Sequence, residues 1–345
     1  MKPAMVPGLA APPRPGWRHD DDAQRHRYRG SGHAGQQVDR NPGAVTRIPP
    51  PRSTETRRQR LAGTGWSLAW ETVRRLPDGV AYPLADLGGR LAHRFGDDTR
   101  IRRNLARIVA PDGLDETVRH AFRSTARYYV EAFRAAEMDP TWLDERTTTG
   151  GFGILDGVLD EGNGAIVLLA HHGSWDVAAR WAESHGYHLA CVAEVVRPRA
   201  LFAKFVTMRE AIGLEIVPLR RGGDLTTRLG AVLAANHLAG LLSDRDLSGK
   251  APVVELFGEP ARIPAGPAVL SQRSGAPIVP ISMLHRPRMR YHLQVLEAFD
   301  TRGMSLRDAV GRVAHAIEDL IRLAPEQWHA FQPIFEADRP AARPC

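Results

Sequence analysis

An apolar run that ends in two histidines constrains the fold of this chain more than any other stretch. Residues 165–170 are all aliphatic, and they lead directly into His171 and His172. Such a run is typical of an interior strand in an α/β sheet, and residues 177–186 have the composition of the helix that would follow it. Because ligands bind at the carboxyl ends of the strands in such sheets, we expect chemistry beside His171.

After Gly164, strand-like and helix-like segments alternate along the chain. Strands are expected at 165–170, 188–193, 214–218, 238–243, 252–257, 277–283 and 291–297, and helices at 176–186, 200–212, 225–236, 265–274 and 304–323. This alternation predicts an α/β fold with a central, mostly parallel sheet flanked by helices. The sequence shows no internal repeat and no glycine-rich nucleotide-binding loop.

Two amphipathic helices are expected before this alternation begins. Apolar residues at helical spacing form one stripe at Trp66, Trp70 and Val73 and a second at Leu84, Leu87, Leu91 and Phe95, with a turn at 77–79 between them. Arginines flank both stripes. Two interpretations of this hairpin remain open: its tryptophans rest in a bilayer interface with arginines at the headgroups, or they pack against the domain. A further core helix is expected at 114–137.

The positive charge of the chain lies at its N-terminus. Residues 1–60 hold 12 Lys and Arg against 5 Asp and Glu, whereas the remainder holds 34 against 34. This segment is rich in proline and lacks apolar periodicity, which predicts a disordered extension without a nucleic-acid partner. We therefore expect a basic extension at 1–60, a helical part at 61–150, an α/β core at 151–335 and a flexible tail at 336–345.

Targeting signals and cysteines give little further information. The sequence shows neither a signal peptide nor 18 consecutive apolar residues, so we expect no membrane-spanning segment. Its two cysteines, Cys191 and Cys345, fit a reducing interior.

His171 and Asp176 form an H-x4-D pattern. On one regular helix, residues five apart point about 140° apart, so the two side chains can meet only if His171 lies in the loop and Asp176 in the first helical turn. Gly173 permits the necessary bend. This arrangement is typical of a general base with an orienting acid. The alternative is a strand-end histidine held by backbone, with Asp176 favouring the helix N-terminus.

Charged residues also follow the neighbouring strands. Glu194 follows the strand at 188–193, Arg209 lies on the next helix, and Asp244-Arg245-Asp246 follows the strand at 238–243. The parallel topology would bring these groups to the edge that holds His171. Each also has a structural interpretation, as a solvated helix charge or as a cap or turn residue.

The order of several motifs resembles one family. From about Trp66 to Phe335, the chain resembles the lysophospholipid acyltransferase superfamily, in the branch that holds lipid A acyltransferases and phosphatidylinositol mannoside acyltransferases. The matching segments are His171-x4-Asp176, 192–194, Arg209-Glu210 before 214–219, 244–247, 256–262, 264–268 and 327–329. Two positions depart from the family pattern. Ser174 stands where asparagine is usual, and Asp244 stands where the closer relatives have glutamate.

The resemblance implies an enzyme that transfers an acyl group from acyl-CoA, such as palmitoyl-CoA, to a membrane glycolipid without a metal or other cofactor. The acceptor would be a mannose hydroxyl of phosphatidylinositol mannosides, at the cytoplasmic face of the inner membrane, where the protein would be peripheral. His171 would be the catalytic base and Asp244 its partner, with Asp176 as the competing candidate. The implied substrate-binding residues are Glu194, Arg209, Arg245, Asp246 and Arg262. Backbone N–H groups around Gly173 are candidate oxyanion donors.

Three alternatives remain at this point. The acceptor could be another lipid, such as a lysophospholipid or a lipid A-like molecule. The chain could be a metal-dependent hydrolase in which His171, His172, Asp244 and Asp246 bind a divalent cation. It could also be a lipid-binding homologue that has lost catalysis.

Overall fold

A computed structural model describes residues 56–193, 199–218, 225–246 and 249–339, which fold as a sheet with helices on both faces. These residues all belong to one compact unit. The first helix begins at Arg57, slightly before the predicted end of the N-terminal extension. Residues 1–55 of that extension and residues 340–345 of the predicted tail lie outside the described residues.

The described residues form eleven α-helices and nine strands. The helices are α1 (Arg57–Arg75), α2 (Asp78–Phe95), α3 (Thr99–Leu105), α4 (Pro111–Arg134), α5 (Pro140–Asp144), α6 (Phe152–Asp160), α7 (Trp175–Ser184), α8 (Arg199–Ala211), α9 (Leu225–Ala234), α10 (Gly266–Ser274) and α11 (Leu306–Arg322). The strands are β1 (Thr147–Gly150), β2 (Ala165–Leu169), β3 (Leu189–Ala193), β4 (Glu215–Pro218), β5 (Leu238–Leu242), β6 (Val253–Leu256), β7 (Glu259–Arg262), β8 (Ile278–Arg286) and β9 (Arg290–Val295).

Seven strands form the central sheet, in the order β1-β9-β8-β2-β5-β3-β4. Its neighbouring strands run parallel, except for the antiparallel pair β8 and β9. The prediction of a mostly parallel α/β sheet is therefore confirmed. The segment expected as one strand at 252–257 is instead half of a separate antiparallel hairpin with β7. Five elements were not predicted from the sequence: β1, β7, α3, α5 and α6. Each of them is nine residues long or shorter.

Strand β2 lies at the centre of the sheet and contributes to both of its faces. Because successive side chains of a strand point to opposite faces, Ile166 and Leu168 join one hydrophobic core with α11, whereas Ala165 and Val167 join the other with α7 and α8. Burial on both faces explains why this strand is a continuous apolar run. The chain after Leu169 therefore leaves the core at the carboxyl end of the central strand.

The predicted N-terminal hairpin is confirmed as α1 and α2, but its proposed contact with a membrane through tryptophan is wrong for Trp70. That side chain is 4% exposed and stacks on Phe133, with ring centroids 4.4 Å apart. Phe205 covers the ring edge-on at 5.0 Å. Trp70 thus anchors α1 to α4 and α8, as the packing interpretation expected. The side chain of Trp66 lies outside the described residues.

Helix α2 instead leaves an apolar stripe uncovered. Its members recur every three or four residues along one side of the helix: Val80, Leu84, Leu87, Leu91 and Phe95. Phe95 is 80% exposed and the others are roughly half exposed. Among the described residues, no helix is both long and apolar enough to cross a bilayer.

Candidate active site

His171 and Asp244 meet at the carboxyl edge of the sheet because their strands are neighbours in register. Strand β2 pairs in parallel with β5, with Leu169 opposite Leu242. Beyond the end of each strand, the chain continues for two residues, to His171 after β2 and to Asp244 after β5. His171 Nδ1 lies 2.6 Å from Asp244 Oδ1. The two residues are 73 positions apart in sequence, and the parallel register alone brings them together.

Asp244 is a buried carboxylate with both oxygens bound. Its side chain is 1% exposed, and Trp328 Nε1 donates to Oδ2 at 2.9 Å. Burial works to raise the pKa of Asp244, but His171, Trp328 and the charge of Arg245 outweigh it and hold that pKa below its usual range. Asp244 is therefore ionised at neutral pH.

The contact with Asp244 fixes the orientation of the imidazole. An ionised carboxylate only accepts hydrogen bonds, so we assign the proton of the neutral His171 ring to Nδ1. The lone pair is then on Nε2, which is the arrangement that a general base needs. The His171 ring also contacts the edge of Trp175 at a centroid distance of 5.3 Å. Its backbone carbonyl accepts from the N–H of His329 at 2.8 Å.

The bend between β2 and α7 requires a glycine. Gly173 has φ +64°, and a Cβ at this position would lie 2.0 Å from the carbonyl oxygen of Met283. Its N–H donates to the carbonyl of Gln327 at 3.0 Å, and the N–H of Ser174 donates to the carbonyl of Met283 at 2.8 Å. The expectation that N–H groups around Gly173 stabilise an oxyanion is therefore wrong for these two, since both already have backbone partners.

His172 faces the interior of the protein. Its Nδ1 lies 2.8 Å from Ser282 Oγ, and its Nε2 lies 2.8 Å from the carbonyl of Ala324. Burial lowers the pKa of His172 to about 4, so the ring is neutral. With both ring nitrogens bound, His172 is not placed as a metal ligand, contrary to the hydrolase alternative. In the part of the chain that the structure describes, no three His, Cys, Asp or Glu side chains are grouped so that they could hold a metal ion.

Asp176 lies in the first turn of α7 as expected, but its partners are Arg209 and Tyr128. Arg209 donates Nε to Oδ1 at 2.7 Å and Nη2 to Oδ2 at 3.2 Å, and the hydroxyl of Tyr128 donates to Oδ2 at 2.9 Å. This bidentate pair joins α7 to α8. The Tyr128 ring stacks on Trp175 at 3.9 Å, and Trp175 contacts the His171 ring, so two aromatic side chains link Asp176 to the imidazole.

The remaining predicted site residues are dispersed. Arg262 forms a bidentate pair with Glu336, at 2.8 and 3.1 Å. Asp246 accepts from the N–H of Ala251 at 3.2 Å. Arg245 lies beside Asp244, and its buried Nε has no hydrogen-bond partner among the described residues. Glu194 lies outside the described residues. The structure thus brings His171, Asp244 and Arg245 together.

Two contacts at this site were not assigned from the sequence. Trp328 and Gln327 belong to a segment that carries the family resemblance, yet their partners, Asp244 and the loop at Gly173, are far away in sequence. Only the motif at 327–329 marked these residues as functional, because no spacing rule links partners as distant in sequence as Trp328 and Asp244, which lie 84 positions apart.

Comparisons with known proteins found similar sequences over most of the chain. Residues 50–337 match the family described as bacterial lipid A biosynthesis acyltransferase. A phosphatidylinositol mannoside acyltransferase of Mycolicibacterium smegmatis is 34% identical over 278 residues, which cover 79% of this chain and 91% of that protein. A protein of the same name from Mycobacterium tuberculosis strain CDC 1551 is 33% identical over 301 residues, covering 85% of this chain and 94% of that protein.

Proposed function

Because this chain belongs to the bacterial lipid A biosynthesis acyltransferase family, we propose that it transfers an acyl group from acyl-CoA to a mannose hydroxyl of a phosphatidylinositol mannoside. The names of the relatives support this acceptor. The observation that carries the proposed chemistry is the 2.6 Å contact between His171 Nδ1 and the buried carboxylate of Asp244. That contact prepares Nε2 of His171 to accept a proton.

The proposed reaction is a direct transfer. His171 Nε2 takes the proton of the acceptor hydroxyl as its oxygen bonds to the thioester carbonyl carbon. The carbon–sulfur bond then breaks, the electron pair leaves with sulfur, and the imidazolium returns the proton to the thiolate. The products are an ester and coenzyme A. Asp244 stabilises the imidazolium during this cycle, and the neighbouring Arg245 contributes positive charge beside Asp244.

The acceptor is a lipid, so the enzyme must work at a membrane surface. We propose a peripheral position on the cytoplasmic face of the inner membrane, held by the exposed stripe of α2. The arginines beside this stripe, Arg90 and Arg94, suit the anionic headgroups of such a surface, while the leucines and Phe95 reach the acyl region.

An acyltransferase assay tests the proposed function. The full chain is incubated in excess chelator with palmitoyl-CoA and, separately, phosphatidylinositol mono- and dimannoside, a lysophospholipid and a lipid A precursor. His171→Ala is the matched inactive variant. We expect an acylated mannoside from the wild type and none from the variant.

Each other result changes the proposal in a defined way. Transfer to a lysophospholipid or a lipid A precursor alone would keep the reaction and replace the acceptor. Activity that survives His171→Ala would overturn the role of the base. Activity that chelator abolishes would favour the metal-dependent alternative, and lipid binding without any turnover would favour the non-catalytic one.

A further inference from the structure

A second buried carboxylate lies beneath the catalytic loop and plays no part in the reaction as described. Glu131, on α4, is fully buried. Its Oε2 accepts from the Ser174 hydroxyl and lies 3.0 Å from His285 Nε2. Its Oε1 accepts from Arg127 Nε at 2.7 Å and from the Tyr291 hydroxyl at 3.0 Å. We call Glu131, Ser174 and His285 the Glu131 cluster.

The Glu131 cluster has the residue types of a hydrolase triad, but not its geometry. In a triad, the acid and the serine bind opposite ring nitrogens of the histidine. Here Ser174 Oγ and Glu131 Oε2 both lie at His285 Nε2, at 2.8 and 3.0 Å. Both Ser174 and Glu131 are also fully buried, so no substrate carbonyl reaches the hydroxyl. The cluster is therefore not a nucleophilic site.

Burying an ionised carboxylate costs desolvation free energy, and the partners of Glu131 offset this cost. Burial works to raise the pKa of Glu131, but His285, Arg127 and the hydrogen bond from Ser174 outweigh it and lower that pKa below its usual range. Tyr291 adds one more donor. The stability of such a carboxylate depends on the positions of its hydrogen-bond donors, because each lost donor leaves part of a buried charge unsatisfied.

Ser174 connects Glu131 to the loop that carries His171. It stands between His171 and Asp176 and next to Trp175, whose ring contacts the His171 ring at 5.3 Å. The backbone N–H of Ser174 is bound by β8 through Met283, and its hydroxyl is bound by α4 through Glu131. The start of α7 is thus held from two sides, once by the sheet and once by the buried charge.

We propose that Glu131 is a positioning residue that acts through Ser174 to hold Trp175 and the His171 loop in the geometry required for acyl transfer. The inference rests on the proposed function for its kinetic readout.

Two single-hydroxyl variants test this inference. Ser174→Ala removes the donor to Glu131 Oε2, on the side of the loop. Tyr291→Phe, the matched control, removes the donor to Oε1, on the far side. Because misplacing a catalytic group by about 1 Å costs on the order of 100-fold, we expect Ser174→Ala to lower kcat about 10- to 100-fold. The KM for each substrate should stay within about 3-fold. Tyr291→Phe should keep kcat within about 3-fold of wild type, although its loss of thermal stability should be similar to that of Ser174→Ala.

A spectroscopic readout separates positioning from general destabilisation. The Nδ1 proton of His171 in its 2.6 Å contact with Asp244 should give a far-downfield proton resonance, assigned by its absence in His171→Ala. We expect this resonance to broaden or vanish in Ser174→Ala and to persist in Tyr291→Phe. Glu131→Gln retains an acceptor for the Ser174 hydroxyl, so its kcat and its resonance should lie between those of wild type and Glu131→Ala.

Equal kcat and an unchanged resonance in Ser174→Ala and Tyr291→Phe would overturn the inference. If Ser174→Ala does not fold, the kcat and the resonance of Glu131→Gln and Glu131→Ala are compared instead, and equal values in these two variants and wild type would overturn the inference. A wild type that acylates no acceptor would refute the proposed function alone, because the resonance still reports where His171 lies in each variant.

Discussion

At the residue scale, the His171–Asp244 pair depends on the carboxylate as an acceptor. An amide at position 244 can donate as well as accept, so it can hold the ring in the wrong tautomer, and it cannot stabilise an imidazolium. We expect Asp244→Asn to lower kcat about 10²- to 10⁴-fold, the range that general acid–base catalysis typically contributes. Steady-state kinetics with palmitoyl-CoA and the mannoside acceptor measure this loss.

The control for this substitution is Asp319→Asn, which makes the same chemical change on the exposed side of α11. It should keep kcat within about 2-fold of wild type, since surface substitutions away from special features have small effects. A fully active Asp244→Asn enzyme would show that the carboxylate is dispensable and that the observed contact is only structural.

The lowered pKa of Glu131 predicts a dependence of stability on pH. An unfolded glutamate has a pKa of about 4.3, whereas the folded carboxylate remains ionised below that value. The stabilisation from ionised Glu131 is therefore complete above about pH 5 and is lost as the pH falls through the folded pKa. His285 lies 3.0 Å from Glu131, and burial lowers the pKa of His285, so this histidine also contributes to the pH dependence of stability above about pH 5. Below about pH 5, we expect the difference in unfolding free energy between wild type and Glu131→Gln to narrow as the pH falls through about 4.3. Urea unfolding at several pH values measures it, and a constant difference down to pH 3.5 would contradict this account.

At the scale of an element, helix α2 presents different chemistry on its two sides. Its inner side packs on α4, where Ala81 and Ala85 are buried with Val130, while its outer side exposes the apolar stripe. Burying one leucine stabilises by about 1.5–3 kcal/mol. We therefore expect the double variant Leu87→Asp, Leu91→Asp to reduce binding to vesicles of anionic phospholipid at least about 10-fold.

A matched variant isolates the contribution of this stripe. Met304→Asp combined with Leu306→Asp adds the same two charges at exposed apolar residues before and at the start of α11. This protein should bind the vesicles within about 2-fold of wild type in a flotation assay. Equal losses in the two double variants would assign the effect to net charge rather than to α2.

The loop between β2 and α7 depends on the absence of a side chain at position 173. A Cβ there would meet a backbone oxygen in β8, which cannot move without disturbing the sheet. With the strain of the left-handed backbone added, we expect Gly173→Ala to destabilise the fold by about 2–4 kcal/mol. It should also reduce kcat more than the lost stability explains, because His171 lies two residues away. Thermal unfolding and kinetics on the folded fraction separate the two effects.

At the scale of the whole molecule, the sequence predicted what depends on local pattern and missed what depends on distant contacts. The apolar runs of β2 and β5 placed His171 and Asp244 at strand ends, and the parallel alternation predicted that those ends share an edge. Strand order was needed to decide between Asp244 and Asp176 as the partner of the imidazole. In sequence, the acid five residues away looks as suitable as the acid 73 residues away, but the register of β2 with β5 favours the distant one.

Buried polar partners were beyond the reach of sequence pattern. Glu131 looks like one more charged residue on an amphipathic helix, and only the folded chain shows it beneath Ser174. The sequence could not decide between the two environments of Trp70, because an apolar stripe that faces a bilayer and one that faces a neighbouring helix have the same periodicity. The membrane-contact hypothesis therefore moved from the tryptophan stripe to the uncovered side of α2.

Burial of the Ser174 hydroxyl also has a consequence for the proposed order of events in a turnover. Ser174 carries the hydroxyl of the loop that follows His171. Because this hydroxyl is buried and bound to Glu131, it cannot form an acyl-enzyme intermediate. In the proposed direct transfer, both substrates are bound before coenzyme A departs. Rapid mixing of the enzyme with palmitoyl-CoA alone should release no burst of coenzyme A, and double-reciprocal plots against both substrates should intersect rather than run parallel. A stoichiometric burst without acceptor would require a nucleophile elsewhere in the chain.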